Sequence, residues 1–249
     1  LTGSASEIES LYDSSGITGL GNENITLFYS IPTAALLKRL DNDTSGTINT
    51  QFLTSIKGKA SDLIDIYSSS GFSNLGNEVI NVSSGSASTS QANALAANTS
   101  AVVTATISDG DMATLAGLTE TGNAYSITIT DSSVAAAALN TLDGKTTVAI
   151  NASNITTLTG SAADLITAYD SGGITGLGDE AVNVNSGSAS TSQANTLAAD
   201  TSGVVTATIS DNDMATLAGL SETGNSYSIT ITDNSVAAAA LNTLDSKTT

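Results

Sequence analysis

Along Tyr125–Asp143 the spacing of apolar side chains changes once. Ile127 and Ile129 alternate with Thr128 and Thr130, the period of two of a strand with one packed face and one wet face. Asp131, Ser132 and Ser133 then offer side-chain oxygens to the free N–H groups of a first helical turn. The alanine run ending in Leu139 and Leu142 favours helix, so a helix is predicted over Ser133–Leu142. After a turn at Asp143-Gly144 a second strand is predicted over Thr147–Asn151. Most of the chain is a variant of this strand, cap and helix.

Ser84–Thr147 recurs as Ser186–Thr249, a period of 102 residues, with few substitutions, among them Asn98 to Asp200 and Gly110 to Asn212. The long repeat therefore covers 84–185 and, in part, 186–249, and residues 1–83 read as a more diverged copy. Gly16–Gly21 returns as Gly71–Gly76 and again as Gly173–Gly178, each time after a tyrosine: Tyr12, Tyr67 and Tyr169. Strands are predicted to end at Leu27, Ile48, Val82, Ile107, Ile129, Ile150, Val184, Ile209 and Ile231, which makes nine rungs. Between them lie predicted helices at Glu7–Tyr12, Thr33–Leu40, Ser61–Tyr67, Ser90–Ala97, Asp111–Leu118, Ala162–Tyr169, Thr191–Ala199, Asp213–Leu220 and Ser235–Leu244.

Strands joined by helical crossovers should pair in parallel and wind right-handed. Spacings of this size are those of one supersecondary unit in a repeat array. The predicted fold is α/β, one continuous right-handed solenoid over residues 1–249, with a parallel β-helix with helical corners as the alternative. Its inner layer would be Val103, Ala105, Ile107, Ile127, Ile129, Val148, Ile150, Val182 and Val184, covered by Leu115, Leu139, Leu142, Leu165 and Leu197. Thr104, Thr106, Thr128, Thr130, Asn151, Asn183 and Asn185 would face outward. Thr249 corresponds to Thr147, where a strand should begin, and Leu1 falls just before a helix. No polar cap is visible at either end, so further repeats or neighbouring copies are expected to cover both.

Composition fits this picture. With no Trp, three Phe and 22 Gly, the interior has to be assembled from small aliphatic pieces at close spacing. A net charge of −18 with six Lys and Arg argues against nucleic acid and anionic membrane surfaces as partners and makes cations the natural counterpart. The absence of Cys and His removes disulfides, thiolate sites, imidazole bases and a hydrolytic triad of the usual kind. No run approaches the ~18 apolar residues of a membrane span. The chain is expected not to be an enzyme, because its acidic residues recur with the repeat instead of converging on one cleft.

Two acidic sets are candidate calcium ligands. Asp41-Asn-Asp43-Thr-Ser-Gly46-Thr-Ile48 follows the first half of a calcium loop, with oxygen side chains at alternate positions and then glycine, although Phe52 occupies the place of the closing glutamate. Asp143 and Asp245 take the place of Asp41 in the other copies, each where a helix ends and a cation would offset the dipole. A polar turn accounts for the same residues. The second set, Asp109 and Asp111 with Asp211 and Asp213, follows strands and opens helices, as do Asp131 and Asp233. Capping explains it, and stacked carboxylates could also hold calcium. The Thr-x-Thr pairs at Thr104/Thr106, Thr128/Thr130, Thr206/Thr208 and Thr230/Thr232 invite an ice-binding reading, against which stands the ordinary preference of threonine for strands.

The stretch Leu158–Val182 and the Leu-Asn-Thr-Leu-Asp-Gly turn at 139–144 resemble repeats of very large secreted cell-surface proteins of cyanobacteria and other marine bacteria, a family described as adhesin-like or of hemolysin type. The resemblance covers nearly the whole chain and implies an extracellular or cell-surface location. The function expected is a structural repeat module of a fibre, sheath, surface layer or giant surface protein. A calcium-dependent adhesin stalk is the alternative, followed by a glycan-binding or ice-binding solenoid. Self-association through uncapped ends, and contact with surface glycans, are the expected partnerships.

Overall fold

The computed structural model describes residues Leu1–Thr249. The chain divides into two compact units, the first comprising Leu1–Asp109, Gly117–Ile127 and Lys145–Val148. Its elements run β1 (Thr2–Gly3), α1 (Ala5–Tyr12), β2 (Ile25–Leu27), α2 (Ala34–Asp43), β3 (Ile48–Asn49), β4 (Ser55–Gly58), α3 (Ala60–Ser68), β5 (Phe72–Ser73), β6 (Val79–Val82), α4 (Thr89–Ala96), β7 (Val103–Thr106) and β8 (Ala124–Ser126). The strands form two sheets, ordered β1-β2-β3-β5 and β4-β6-β7-β8. All pairs are parallel, with Ile25 opposite Ile48, Ile48 opposite Phe72, and Ile80 opposite both Ile56 and Val103.

The second unit comprises Gly110–Ala116, Thr128–Gly144 and Ala149–Thr249. It contains α5 (Met112–Leu115), β9 (Ser133–Ala135), α6 (Ala136–Asp143), β10 (Ile150–Asn151), β11 (Thr157–Gly160), α7 (Ala162–Asp170), β12 (Ile174–Thr175), β13 (Ala181–Val184), α8 (Thr191–Asp200), β14 (Val205–Thr208), α9 (Met214–Leu217), β15 (Ser226–Ser228) and α10 (Ala238–Asp245). Its sheets are β10-β12 and β15-β14-β13-β11-β9, again parallel throughout. The chain is thus α/β, with short parallel strands alternating with short helices.

Local chemistry explains these elements. In β7, Val103 and Ala105 are buried while Thr104 and Thr106 are exposed, and Ile107 continues the buried row. Several helices present a narrow apolar stripe three residues apart: Ala34, Leu37 and Leu40 in α2, Ala60, Leu63 and Ile66 in α3, Ala136, Leu139 and Leu142 in α6. Ser4 with Glu7, Ser88 with Gln91 and Ser190 with Gln193 form capping boxes, which satisfy two otherwise free N–H groups each. In α2, α3, α6 and α7 the first buried helical residue is alanine, small enough for a strand to approach closely. A Cβ built on Gly58 would lie 3.1 Å from the Ala34 Cβ, so glycine is needed in that strand.

Three expectations need correction. Val148 is not an inner residue but 40 % exposed. The Thr146 hydroxyl donates to the Tyr125 carbonyl at 2.7 Å and accepts from the Val148 N–H at 3.1 Å. That bend breaks the period of two, and the strand shrinks to Ile150–Asn151. The predicted Ile127–Ile129 strand is split: β8 ends at Ser126 and Thr128 makes an isolated bridge to Asn151. Ser133 opens β9 rather than a helix, and α6 begins after Ala135 with no side-chain cap. Strands at Ser55–Gly58, Thr157–Gly160 and Ile174–Thr175 were not anticipated. They are short and end in or follow glycine, so they carry too little alternation to read. The other proposed inner and covering residues, from Val103 and Ile129 to Leu197, are buried.

Candidate functional site

The aspartates after the strands do cap helices, two of them at the start of their own helix and four at a helix start earlier in the chain. Asp111 and Asp213 are the N-caps of α5 and α9, accepting from Thr114 N–H at 2.8 Å and Thr216 N–H at 2.9 Å. Those backbone bonds hold both carboxyls below the usual aspartate value, with the threonine hydroxyls adding to the effect. Asp109 reaches back to Thr89 N–H at 2.7 Å and Asp211 to Thr191 N–H at 2.7 Å, at the starts of α4 and α8. Asp131 and Asp233 do the same for Met112 and Met214 at 2.6 and 2.7 Å. Each of these carboxylates therefore meets a positive helix end with its free N–H groups.

The aspartates at the other helix ends are placed differently. Asp41, Asn42 and Asp43 belong to the last turn of α2, so their oxygens have helical rather than loop spacing. Asp41 accepts from the Ser69 hydroxyl at 2.7 Å, and Asp143 from the Ser171 hydroxyl at 2.7 Å. Asp43, Asp143 and Asp245 are the final residues of α2, α6 and α10. No group of three or more acidic side chains comes close enough together to hold an ion. Six of the eight proposed ligands, Asp41, Asp109, Asp111, Asp143, Asp211 and Asp213, accept from backbone N–H or serine hydroxyl groups.

The outward sheet faces carry no regular threonine lattice. In the first unit Lys57, Asn81, Thr104 and Ala124 lie side by side across the strands. In the second the corresponding row is Thr159, Asn183, Thr206 and Ser226.

Two buried carboxylates were missed in the sequence. Glu78 and Glu180 are fully buried inside the glycine-rich turns. Glu180 accepts from Gly178 N–H at 2.8 Å and from the Tyr169 hydroxyl at 2.9 Å. Glu78 accepts from Gly76 N–H at 2.8 Å and the Tyr67 hydroxyl at 3.1 Å, and Glu23 from Gly21 N–H at 2.7 Å and the Tyr12 hydroxyl at 3.0 Å. The main chain of each glutamate is gripped as well: Thr44, Thr99 and Thr201 donate their hydroxyls to the carbonyls of Glu23, Glu78 and Glu180. Burial and the adjacent carboxylates push the Tyr67 and Tyr169 hydroxyls well above the ordinary phenol value. The Gly21 N–H bond holds the Glu23 carboxyl below its usual value. The signal was present in the sequence as a tyrosine and a glutamate 11 residues apart, three times over.

No family model, curated protein or solved structure matches this chain. The repeated polar sites bind the chain to itself: a carboxylate accepting N–H and phenol protons in an enclosed turn is a latch. One solvent-facing feature stands outside this scheme. In the first unit Phe28, Tyr29 and Phe52 gather with ring centroids 5.4 and 5.8 Å apart, and Tyr29 is 83 % exposed. No helix is long and apolar enough to cross a membrane.

Proposed function

We propose that this chain is a structural repeat module of an extracellular fibre, sheath or surface layer, built by stacking coils of strand, strand and helix into a solenoid. The observation that carries the reading is the constancy of the strand register. Thr2 lies opposite Thr26, Ile48 opposite Phe72, Ser55 opposite Val79, Leu158 opposite Val182, Val182 opposite Val205 and Thr206 opposite Ser226. Every paired residue finds its partner 20 to 24 residues on, always in parallel. That is what results when each passage of the chain lies directly on the previous one. Two short strands and one helix per coil favour the helical-cornered β-helix over a two-layer arrangement.

The side chains support the same role. Aspartates cap the helix one coil back, threonine hydroxyls clamp the glutamate one coil back, and Lys38 bridges Asp62 and Asp65 on the neighbouring helix at 2.8 and 2.7 Å. The polar chemistry is spent on adhesion between coils. A cysteine-free, strongly acidic chain suits an oxidising, cation-rich exterior. Imaging and fibre diffraction of the purified protein test the proposal. A repeat of about 4.8 Å along one axis is expected, the spacing of stacked parallel strands. A particle with no such repeat would overturn it.

A further inference from the structure

We propose that Phe28, Tyr29 and Phe52, with Lys57 and Lys59 beside them, form a binding site for an oligosaccharide that carries a carboxylate. The site lies within the first unit and does not depend on how copies of the chain assemble.

The internal repeat shows that these side chains are not there to build the fold. Counted from the latch glutamates Glu23, Glu78 and Glu180, the turn that follows β2 aligns without a gap with those that follow β6 and β13. Phe28 and Tyr29 stand where the other copies carry Ser83 and Ser84, and Asn185 and Ser186. Ile31 stands where they carry Ser86 and Ser188. Phe52 takes the place of Asn154, and Lys57 and Lys59 take those of Thr159 and Ser161. The helix starts the same way after each turn, with Thr33, Ser88 and Ser190 as caps. Departures from the repeat toward aromatic and basic chemistry therefore gather in one region, and the same coil forms without them.

Exposure is a property of the turn itself. β2 lies between β1 and β3 as β6 lies between β4 and β7, and Ser83–Ser86 and Asn185–Ser188 face solvent just as Tyr29 and Ile31 do. The other five tyrosine hydroxyls all donate inside the fold. That of Tyr29 does not.

Ring geometry and charge give the ligand class. Phe52 is tilted by 50° to Phe28 and by 40° to Tyr29, so the rings present separate faces rather than one flat apolar sheet. Such faces suit the C–H groups on one side of a pyranose, which are drawn to the negative face of a π-system. The other cations of this acidic chain are engaged: Lys38 with Asp62 and Asp65, Arg39 with Glu9, Lys145 with the Thr119 carbonyl and Lys247 with the Ser221 carbonyl. Only Lys57 and Lys59 have no partner, and both are exposed. The Lys57 N–H donates to the Pro32 carbonyl at 3.2 Å, so its strand runs beside the aromatic turn. Phe52 and Lys57 are separated by at most ~17 Å of extended chain, a span that a short oligosaccharide covers. A peptide strand finds no edge here, because the Phe28 N–H is bonded to the Gly3 carbonyl at 3.0 Å and β2 is paired on both sides. The net charge of −18 disfavours a densely charged polyanion. The ligand is therefore sparsely charged, with its carboxylate at the lysines.

Calorimetric titration with sialyllactose, a hyaluronan tetrasaccharide and trigalacturonate, each beside its methyl ester, tests the site. At least one free acid is expected to bind more tightly than its ester, with affinity falling as sodium chloride is added. Both test variants use residues that other copies already carry. Tyr29→Ser should weaken binding by about tenfold or more, and Lys57→Thr with Lys59→Ser should bring acid and ester to equal affinity. Each should keep the circular dichroism of the unmodified chain, since the replaced side chains are exposed. Failure of all three acids to bind, equal binding of acid and ester to the unmodified chain, or undiminished binding by Tyr29→Ser would overturn the site. Self-association in sedimentation that Tyr29→Ser abolishes, with no sugar bound, would overturn it too and mark the patch as a protein contact.

Discussion

The carboxylate of Asp131 accepts a hydrogen bond at 2.6 Å from the backbone N–H of Met112, the first residue of α5, 19 positions earlier in the chain. Asp131 therefore caps a helix it follows, and α6 downstream starts without a side-chain cap. Asp131→Ala is expected to cost about 1 kcal/mol, the usual value of a lost cap. In hydrogen exchange the loss should appear as faster exchange at Met112, with the amides of α6 unchanged.

The buried glutamate latches should dominate point-mutant energetics. Glu180→Ala leaves Gly178 N–H and the Tyr169 hydroxyl enclosed without an acceptor, which should cost about 3 kcal/mol. Tyr169→Phe removes one donor from a carboxylate that keeps its glycine bond, and about 1–2 kcal/mol is expected. Urea midpoints of the two variants should differ in that order.

Asp200 marks a place where one copy of the repeat is less well satisfied than the other. Its Oδ2 is buried without a partner, and burial, with Asp170 adding, raises its carboxyl above the usual value. In the other copy Asn98 donates to the Ala94 carbonyl at 2.8 Å. Asp200→Asn should stabilise the chain by about 1 kcal/mol near neutral pH. Because the folded value is the higher one, the ionised form carries the penalty. The gain should fade as pH falls through the raised folded value toward the ordinary aspartate value of 3.8, which urea melts at about pH 3 and pH 7 would reveal.

Alkaline unfolding should follow the tyrosines. Burial, with Glu120 and Glu222 nearby, pushes the Tyr125 and Tyr227 hydroxyls up to about 12. The fold favours the protonated phenol, so this contribution is intact below the ordinary value of 10.0 and is lost as pH rises toward 12. Circular dichroism and tyrosinate absorbance should change together in that window.

Calcium should have little specific effect. Asp109, Asp111, Asp211 and Asp213 already accept backbone N–H bonds, and no three carboxylates converge. The melting temperature is expected to rise equally with calcium and with magnesium at the same ionic strength, and a chelator should not lower it. A calcium-selective rise would return Asp41 or Asp143 to consideration as a ligand.

The helices were legible because their caps and apolar stripes are local. Asp111 and Asp213 announce α5 and α9 as oxygen side chains that follow a strand and open a helix, and the Leu139/Leu142 pair fixes the buried face of α6. The glutamate latch was less visible, because in Gly173–Gly178 the glycines dominate and suggest only a turn. What makes that turn a site is the Tyr169 ring returning from the preceding helix. Val148 was misplaced because a hydroxyl at Thr146, bonded to a strand elsewhere in the fold, rotates the chain out of phase.

The amino-acid order by itself determined the period, the α/β class and the identity of most buried residues, since alternation, capping and alanine–leucine stripes act over a few neighbouring positions. Tertiary structure alone decided which carboxylate serves which helix, where short strands such as Ser55–Gly58 and Thr157–Gly160 lie, and that Glu78 and Glu180 are enclosed. Those outcomes depend on contacts between residues 11 to 20 positions apart, where a hydrogen bond joins groups whose meeting is set by the fold rather than by adjacency in the chain.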